Sequence, residues 1–287
     1  MKTNHTAMIT GSTGGIGLEV SKLLAAKGWN LLFLNRSQEK SAKQIAELKE
    51  AYPVQTFQAY TANLMDLSDI VQALEQIESQ HTELAALYHV AGLLTDKRLT
   101  SAQGAEGHFA INTLAPYLIT QRLRKQLSAG SSADQKSVVV NFSSSAIHSV
   151  KKLQVSALLN PPEIGGLMGA YAKTKLAITI VTEFLQEELS HEGILIQSAD
   201  PGPTKTPMTG GGDGMPWFVS LLQPLLFKDP LVQAQKLVTA VDASVSDGAS
   251  GLFISEGKRK ATPPIVSDQE LQSELKTFLD SQIEKFL

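Results

Sequence analysis

The sequence has 287 residues, a formal net charge of −3 and 43% hydrophobic residues. A chain of this length and composition can bury a sizeable core, and we predict one α/β domain spanning residues 1–287. The sequence contains no cysteine, which excludes disulfides and thiolate metal sites, and we predict no metal site of another kind. The small negative charge, without a dense basic run, argues against nucleic acid as a partner.

Nothing in the sequence predicts a membrane span. The first residues run directly into a predicted strand, which leaves no room for a secretory signal, and no apolar stretch is long enough to cross a bilayer. We therefore expect a cytoplasmic protein without a transmembrane segment.

Apolar runs alternate with helical patterns along the chain, without an internal repeat. The predicted strands are 7–10, 30–34, 54–60, 84–90, 138–142, 194–199 and 252–254. Helices are predicted at 16–27, 38–52, 69–80, 103–127 and 169–191. Alternation of this kind favours a single doubly wound parallel sheet with helices on both faces.

The first predicted strand leads into a glycine-rich segment, TGSTGGIG at residues 10–17, which opens a helix. Glycine lets the backbone turn tightly and approach a pyrophosphate, whose charge is met by free N–H groups and the positive end of the helix dipole. The order of strand, glycine turn and helix therefore predicts a dinucleotide site. A glycine-rich connection without a ligand is the alternative.

The second predicted strand ends at Asn35 and Arg36, where dinucleotide-binding folds meet the adenosine ribose. Chains that bind NAD usually place an acid there to hold the 2′-hydroxyl, whereas Asn35 is neutral. The guanidinium of Arg36 suits a 2′-phosphate, so we predict NADP(H) as the cofactor. A surface arginine without a ligand is the alternative.

Tyr171 and Lys175 lie four residues apart in a predicted helix, so the phenol and the ammonium share one face. We expect the cation to favour the phenolate and to bring the pKa of Tyr171 down from about 10 toward a working range. Two further polar residues lie upstream: Asn112 in a predicted helix and Ser144 after a strand. Each by itself is typical of a surface, capping or turn residue.

Taken in this order after the glycine turn, these residues resemble the short-chain dehydrogenase/reductase family, over nearly the whole chain up to Pro201 and Gly202. The resemblance implies a Rossmann fold and a catalytic tetrad formed by Asn112, Ser144, Tyr171 and Lys175. Ser144 is chosen because the family pattern around 142–146 makes the second serine catalytic, with Ser143 and Ser145 as alternatives.

The resemblance also implies which residues contact the cofactor. In the glycine turn these are Gly11, Ser12, Thr13, Gly15, Ile16 and Gly17. After the later strands they are Asn63, Leu64, Ala91, Gly92, Pro201, Gly202, Thr204 and Thr206, with Thr206 facing the nicotinamide carboxamide. Tyr171 and Lys175 contact the cofactor as well.

Two positions depart from the family pattern. Asn63 stands where the family has an aspartate, and it can still bond an adenine edge. His89 stands where the family has an asparagine, and we predict a structural histidine that ties strands together.

Two segments are elaborations of the pattern. The connection between Ser144 and Tyr171 is longer than usual and resembles the retinol-dehydrogenase-like branch. The glycines at 210–212 precede the apolar run 215–222, which predicts a substrate lid at 203–228. An ordinary loop followed by a surface helix that packs on the core is the alternative.

The last predicted helix begins with a capping box at 267–270 and carries an apolar stripe of Leu271, Leu275, Phe278, Leu279 and Phe286. We expect this stripe to pack on the domain, with a dimer contact or shallow membrane association as alternatives. By the family resemblance, helices 103–127 and 169–191 are candidates for pairing in a homodimer or homotetramer.

These features together predict an NADP(H)-dependent enzyme that transfers a hydride between nicotinamide and a carbonyl or alcohol substrate. The substrate is expected to be a small molecule, and the apolar run suggests a bulky apolar one. One alternative is an NADP(H)-sensing protein without turnover, which would be expected to have a broken tetrad. Another is a methyltransferase on a similar sheet, which would leave Tyr171 and Lys175 without a role.

Overall fold

The computed structural model describes residues 5–133, 135–205 and 227–287. Its strands form one eight-stranded sheet in the order β3-β2-β1-β4-β5-β6-β7-β8. They are β1 (Thr6–Thr10), β2 (Asn30–Asn35), β3 (Phe57–Thr61), β4 (Ala86–His89), β5 (Ser137–Phe142), β6 (Ile194–Asp200), β7 (Leu252–Ser255) and β8 (Lys258–Lys260). Neighbouring strands from β3 to β7 are parallel, so the predicted doubly wound sheet is confirmed. The exposed edge strand β8, antiparallel to β7, is an addition to it.

Helices cover both faces of the sheet. They are α1 (Gly15–Ala26), α2 (Gln38–Ala51), α3 (Leu67–Gln80), α4 (Gly107–Phe109), α5 (Ala115–Arg122), α6 (Arg124–Ala129), α7 (Ala170–His191), α8 (Pro230–Ser246) and α9 (Gln269–Ile283). Alternate residues of a strand point to opposite faces, and on β1 Met8 joins one apolar core while Ala7 and Ile9 join the other. The two cores therefore explain why central strands such as β1 and β2 are apolar on both faces.

The third strand begins later than its apolar pattern predicts. The predicted strand 54–60 is instead β3, at Phe57–Thr61, and Val54 is 81% exposed. Pro53 has no N–H to donate to a neighbouring strand, and Gln55 N donates to Tyr52 O in a turn. Residues 52–56 therefore form the connection between α2 and β3.

The predicted helix 103–127 is broken into parts. It begins at Gly107, passes through a π-helical turn at Ala110–Leu114 and breaks again at Leu123. Pro116 explains part of this, because a proline cannot donate the hydrogen bond that the carbonyl four residues earlier, that of Asn112, would accept in an α-helix. The π-helical turn therefore contains Asn112, a predicted site residue.

The C-terminal helix packs on the domain, as its apolar stripe predicts. Leu275 and Leu279 are fully buried in the core that also contains residues of α7. The N-cap, however, is Asp268 rather than Ser267, because the Asp268 carboxylate accepts from Leu271 N at 3.1 Å. Within the described ranges, no helix is both long and apolar enough to cross a membrane.

Candidate active site

The glycine turn joins β1 to α1 at the carboxyl edge of the sheet. Gly11 has a φ of 69°, and a Cβ there would lie 2.7 Å from Ala91 Cα. A Cβ on Gly17 would lie 2.4 Å from Gly11 O. No side chain of the described residues caps α1, so its N-terminal N–H groups face the open side of the turn. Such a turn is suited to bind a pyrophosphate.

Asn35 and Ser12 hold the turn in place. Asn35 is 4% exposed, its Oδ1 accepts from Ser12 N at 2.9 Å, and its Nδ2 donates to Ser12 Oγ and Ser41 Oγ. Ser12 is fully buried, and its hydroxyl also donates to Gln44. Both side chains are therefore engaged within the protein, although the sequence predicts cofactor contacts for them.

Two cations lie near the end of β2. The exposed Arg36 and Lys40 both line the cavity that contains the glycine turn, together with Ser37 between them. Lys40 is absent from the sequence-based prediction. Its signal in the sequence is its position, four residues after Arg36 at the start of a helix.

The loops after β3 and β4 complete the adenosine side. Asn63, Leu64, Ala91 and Gly92 all line the cavity, as predicted from the family pattern. His89 does not, because it lies inside the sheet, 2% exposed, with Nε2 2.9 Å from Thr120 Oγ1. Burial lowers its pKa to about 3, so it is neutral, and its hydrogen bond joins β4 to α5 rather than to another strand as predicted.

The three consecutive serines after β5 have different surroundings. Ser143 is buried and bonds Lys175 O and Thr179 Oγ1. Ser145 is exposed, and its backbone N–H and hydroxyl oppose the effect of burial on the pKa of Asp200. Ser144 lines the cavity, and its hydroxyl partly opposes the effect of burial on the pKa of the Tyr171 phenol. Ser144 is therefore the serine that the structure brings to Tyr171.

Tyr171 and Lys175 lie together on α7, and both are buried. The Lys175 ammonium is 5.7 Å from the centre of the Tyr171 ring and donates to Phe142 O at 2.7 Å. Burial raises the pKa of Tyr171 to about 12, and the charge of Asp200 adds to this rise. Burial lowers the pKa of Lys175 to about 8, against the effect of Asp200. The expectation that Lys175 brings the pKa of Tyr171 below 10 is therefore wrong for the chain by itself, since burial raises that pKa.

Asn112 lies in the π-helical turn and does not line the cavity. Its side chain accepts from Leu93 N at 2.8 Å and donates to Leu93 O and Thr174 Oγ1. The amide thus ties the loop after β4 to α7. Its main-chain carbonyl lacks the α-helical donor, because residue 116 is a proline.

The segment after β6 brings a group that sequence analysis does not single out. Pro201, Gly202 and Thr204 line the cavity as predicted, whereas Thr206 and most of the predicted lid lie outside the described residues. Asp200, directly before Pro201, also lines the cavity and is 4% exposed. The sequence feature that could have identified Asp200 is its position, an acidic residue directly before the Pro-Gly turn.

The glycine turn, the two cations, Ser144, Tyr171, Lys175 and the Pro-Gly turn line one cavity of about 780 Å³. Among the described residues, every predicted site residue lines it except Ser12 and Asn112. Part of its wall is apolar: Phe227 belongs to the predicted lid, whereas Val90, Leu93, Leu94, Ile111, Leu167 and Met168 were not predicted. Leu167 and Met168 come from the long connection before Tyr171, which Arg98 holds to the loop after β4 through Asn160 Oδ1 at 2.7 Å.

The sequence matches a known protein family and several characterised relatives. The sequence profile of the short chain dehydrogenase family matches residues 5–158. Human polyprenol dehydrogenase is 27% identical over 285 residues, covering 96% of this chain and 83% of that protein. Human retinol dehydrogenase 13 is 26% identical over 275 residues, covering 94% and 82%. The expected resemblance to the retinol-dehydrogenase-like branch is confirmed.

Solved structures show the same fold. A short-chain dehydrogenase from Sphingobium yanoikuyae, in complex with NADPH, has a TM-score of 0.69 and 20% identity and covers 95% of each chain. An NADPH-bound carbonyl reductase from chicken fatty liver has a TM-score of 0.68 and 19% identity and covers 91% of this chain and 100% of its own. Together with the family profile, these findings show that the chain belongs to the short-chain dehydrogenase family of nicotinamide-dependent oxidoreductases.

Proposed function

We propose that the protein is an NADP(H)-dependent oxidoreductase that acts on a carbonyl or alcohol substrate, with Tyr171 as the general acid and base. The observation that carries this proposal is the shared cavity. It is lined by the glycine turn and two cations, Arg36 and Lys40, and also by Ser144, Tyr171 and Lys175. One continuous space that could serve both cofactor binding and proton transfer supports the proposal.

The residues present fit NADP(H). The first residues of α1, Gly15, Ile16 and Gly17, line the cavity and no side chain of the described residues caps this helix, so its first N–H groups would be the ones to hold a pyrophosphate. Arg36 and Lys40 offer two positive charges to a 2′-phosphate. When bound, the cofactor supplies or accepts the hydride. The same proposal treats residues 1–287 as one NADP(H)-binding domain.

Residues of the chain itself would donate the proton and hydrogen-bond the substrate oxygen. With its pKa raised to about 12, Tyr171 keeps its proton at neutral pH and can donate it to the oxygen of a carbonyl. Ser144 can hydrogen-bond the same oxygen while negative charge develops there. Lys175, held at Phe142 O, keeps its ammonium beside the phenol and within reach of a ribose hydroxyl.

Asn112 supports reprotonation in this scheme. Its side chain is engaged with Leu93 and Thr174, so the group that would hold a water is its main-chain carbonyl. Pro116 cannot occupy that carbonyl with an N–H, and a water bound there would link Lys175 to solvent.

We further propose a bulky apolar substrate. The relatives are named for polyprenol and retinol, and the cavity wall of this chain includes Leu93, Ile111, Leu167, Met168 and Phe227. Phe227 adjoins Lys228, whose N donates to Pro203 O at 3.0 Å, so the two ends of the proposed lid 203–228 lie side by side. A segment closed at its base in this way is suited to cover an apolar substrate.

A thermal shift assay followed by turnover tests the proposal. We expect stabilisation by NADPH, less by NADH and none by S-adenosylmethionine, and then NADPH-dependent reduction of retinal at a higher kcat/KM than of a small polar aldehyde. Stabilisation by NADPH without turnover of any carbonyl or alcohol would assign the protein as a cofactor sensor instead. Stabilisation by S-adenosylmethionine alone would favour a methyltransferase.

A further inference from the structure

His108 is a fully buried side chain on α4 that the proposed mechanism does not use. Its Nδ1 donates to Glu106 Oε1 at 2.8 Å, and its Nε2 accepts from Thr95 N at 3.2 Å. These two partners assign the ring as the neutral tautomer that carries its proton on Nδ1. The imidazole is therefore fixed in both rotation and tautomer by its neighbours.

Glu106 holds the imidazole from the start of α4. Its Oε2 accepts from the backbone N–H groups of His108 and Phe109 at 2.9 Å and 3.3 Å, so the same carboxylate caps the helix. The backbone N of Glu106 donates to Leu159 O at 2.9 Å, in the long connection before Tyr171. The partner of His108 is thus itself anchored by main-chain groups.

The ring of His108 packs on the ring of Tyr171. The ring centres are 6.5 Å apart and the planes are inclined by 79°, which is an edge-to-face arrangement. Both rings are buried, and Tyr171 lies on a different helix, α7. The fixed imidazole therefore limits how the Tyr171 ring, and with it the phenol oxygen, can tilt inside the site.

The Nε2 atom of His108 also anchors part of the cavity wall. Thr95, which donates to it, directly follows Leu93 and Leu94, whose side chains line the cavity. Asn112 holds the same loop through the backbone N and O of Leu93. The backbone on both sides of Leu94 is therefore tied down, and loss of the Thr95 contact would release one side of this apolar wall.

We propose that His108 is a positioning residue with two separable roles. Its ring holds Tyr171 in place for proton donation, and its Nε2 holds the wall formed by Leu93 and Leu94 in place for the substrate. The inference rests on the proposed function, in which Tyr171 donates a proton and the cavity takes an apolar substrate.

His108→Gln tests the role of the ring. Glutamine keeps an acceptor near the position of Nε2, so Thr95 N can still donate, but it removes the ring that packs on Tyr171. We expect kcat for reduction of retinal to fall by about 3- to 10-fold, the worth of one aromatic contact. KM for retinal and the Kd of NADPH should stay near those of the unchanged protein.

His108→Phe tests the role of Nε2. Phenylalanine keeps a ring beside Tyr171 but cannot accept from Thr95 N. We expect KM for retinal to rise by about 3- to 10-fold, the worth of one hydrogen bond, with kcat nearly retained. KM for a small polar aldehyde should rise less, because such a substrate makes fewer contacts with the apolar wall.

His108→Asn takes the place of the phenylalanine variant if that variant does not fold. Asparagine keeps an N–H donor for Glu106 and lacks both the ring and the acceptor for Thr95 N. It should show the fall in kcat and the rise in KM together. A fall in kcat alone would contradict the role at Thr95.

Two NMR measurements decide both roles without requiring turnover. Exchange of the Thr95 amide hydrogen should become faster in His108→Phe and stay slow in His108→Gln. The Tyr171 ring, whose signals are assigned by their loss in Tyr171→Phe, should flip faster in His108→Gln and not in His108→Phe. His191→Gln, at an exposed position of α7, is the control and should change neither.

The two variants distinguish a positioning role from a general effect on the fold. Equal losses of kcat and equal rises of KM in both variants would overturn the proposal, and so would unchanged values in both. Absence of turnover in the unchanged protein would contradict the proposed function. The amide exchange and the ring flips would then still decide the two roles of His108.

Discussion

At the scale of single residues, the site depends on which side chains are already engaged within the protein. Asn35 and Ser12 bond each other, whereas the exposed Arg36 and Lys40 line the cavity and are the cations to which we assign the proposed cofactor preference. Ser143 is likewise engaged, which leaves Ser144 beside Tyr171. In both cases a buried polar group is satisfied within the chain, and a neighbour that faces the cavity remains available for a ligand.

Removing the charge of Arg36 tests cofactor choice. A charge-assisted contact to a 2′-phosphate is worth roughly ten- to a hundredfold in affinity, so Arg36→Ala should weaken NADPH by that factor and leave NADH little changed. Lys40→Ala should act in the same direction. Calorimetric titration of both cofactors measures this, with Lys43→Ala as the control, since the exposed Lys43 does not line the cavity. Equal binding of NADPH and NADH by the unchanged protein would refute the preference.

Replacing Tyr171 by phenylalanine tests the chemistry. Tyr171→Phe keeps the ring and removes the proton donor, so turnover should fall by about 100-fold or more while NADPH affinity is nearly retained. Lys175→Ala should damage both, because its ammonium serves the phenol and the ribose. Steady-state kinetics with a demonstrated substrate measure the first effect and calorimetry the second. Near-normal turnover of Tyr171→Phe would show that the assigned acid is wrong.

At the scale of elements, the helices around the site are shaped by their contacts more than by their own periodicity. The π-helical turn at Ala110–Leu114 lets Asn112 reach the loop after β4. Such turns frequently occur at functional sites, where they redirect a single residue. Apolar periodicity predicts a helix here, but it does not reveal the turn, because the same side chains are buried in either geometry.

The C-terminal helix covers two helices that the family resemblance makes candidates for pairing. It packs on α7, and Asp280 accepts from the Tyr117 hydroxyl on α5. Part of the surface that a homodimer or homotetramer would use is thus covered within the chain. The oligomeric state stays a prediction, and sedimentation of the full chain measures it.

Truncation in this helix tests its contribution to stability. Leu275 is fully buried, so Leu275→Ala should lower the free energy of unfolding by about 2–5 kcal/mol through lost burial and a cavity. Urea unfolding measures the change, and Ser273→Ala, at an exposed position of the same helix, is the control. A loss below about 0.5 kcal/mol, typical of surface positions, would show that α9 does not belong to the folded core.

At the scale of the whole molecule, the parallel sheet brings the site together. The segments after β1, β2, β3, β4, β5 and β6 all leave the same edge and line one cavity. The two apolar cores, one on each face of the sheet, fix the positions of the strand ends from which these segments leave. Stability and site geometry are therefore coupled through the central strands.

His89, in the middle of the sheet, predicts how the stability of the molecule depends on pH. Its pKa is about 3 when folded, against an ordinary value of 6.5, so below pH 6.5 the unfolded chain binds a proton that the folded protein does not. This component of stability is present above pH 6.5 and is lost by about 1.4 kcal/mol per pH unit as the pH falls toward 3.

Replacement by the asparagine of the family pattern should remove this component. Between pH 7.5 and pH 5, the unchanged protein should lose about 2 kcal/mol more stability than His89→Asn. Urea unfolding at both pH values measures the difference, with the exposed His191→Asn as the control. Equal losses in the unchanged protein and His89→Asn would mean that His89 is protonated in the folded state.

Local patterns in the sequence determined the fold class, the glycine turn, the parallel sheet implied by alternation with helices, and the pairing of Tyr171 with Lys175. These depend on spacing along the chain, which backbone geometry converts directly into shared faces and tight turns. Only the tertiary structure decided that Asn35 is engaged, that burial raises the pKa of Tyr171, and that Asp200 and Lys40 join the cavity. Burial, field and hydrogen-bond partners come from residues distant in sequence, so no local pattern contains them.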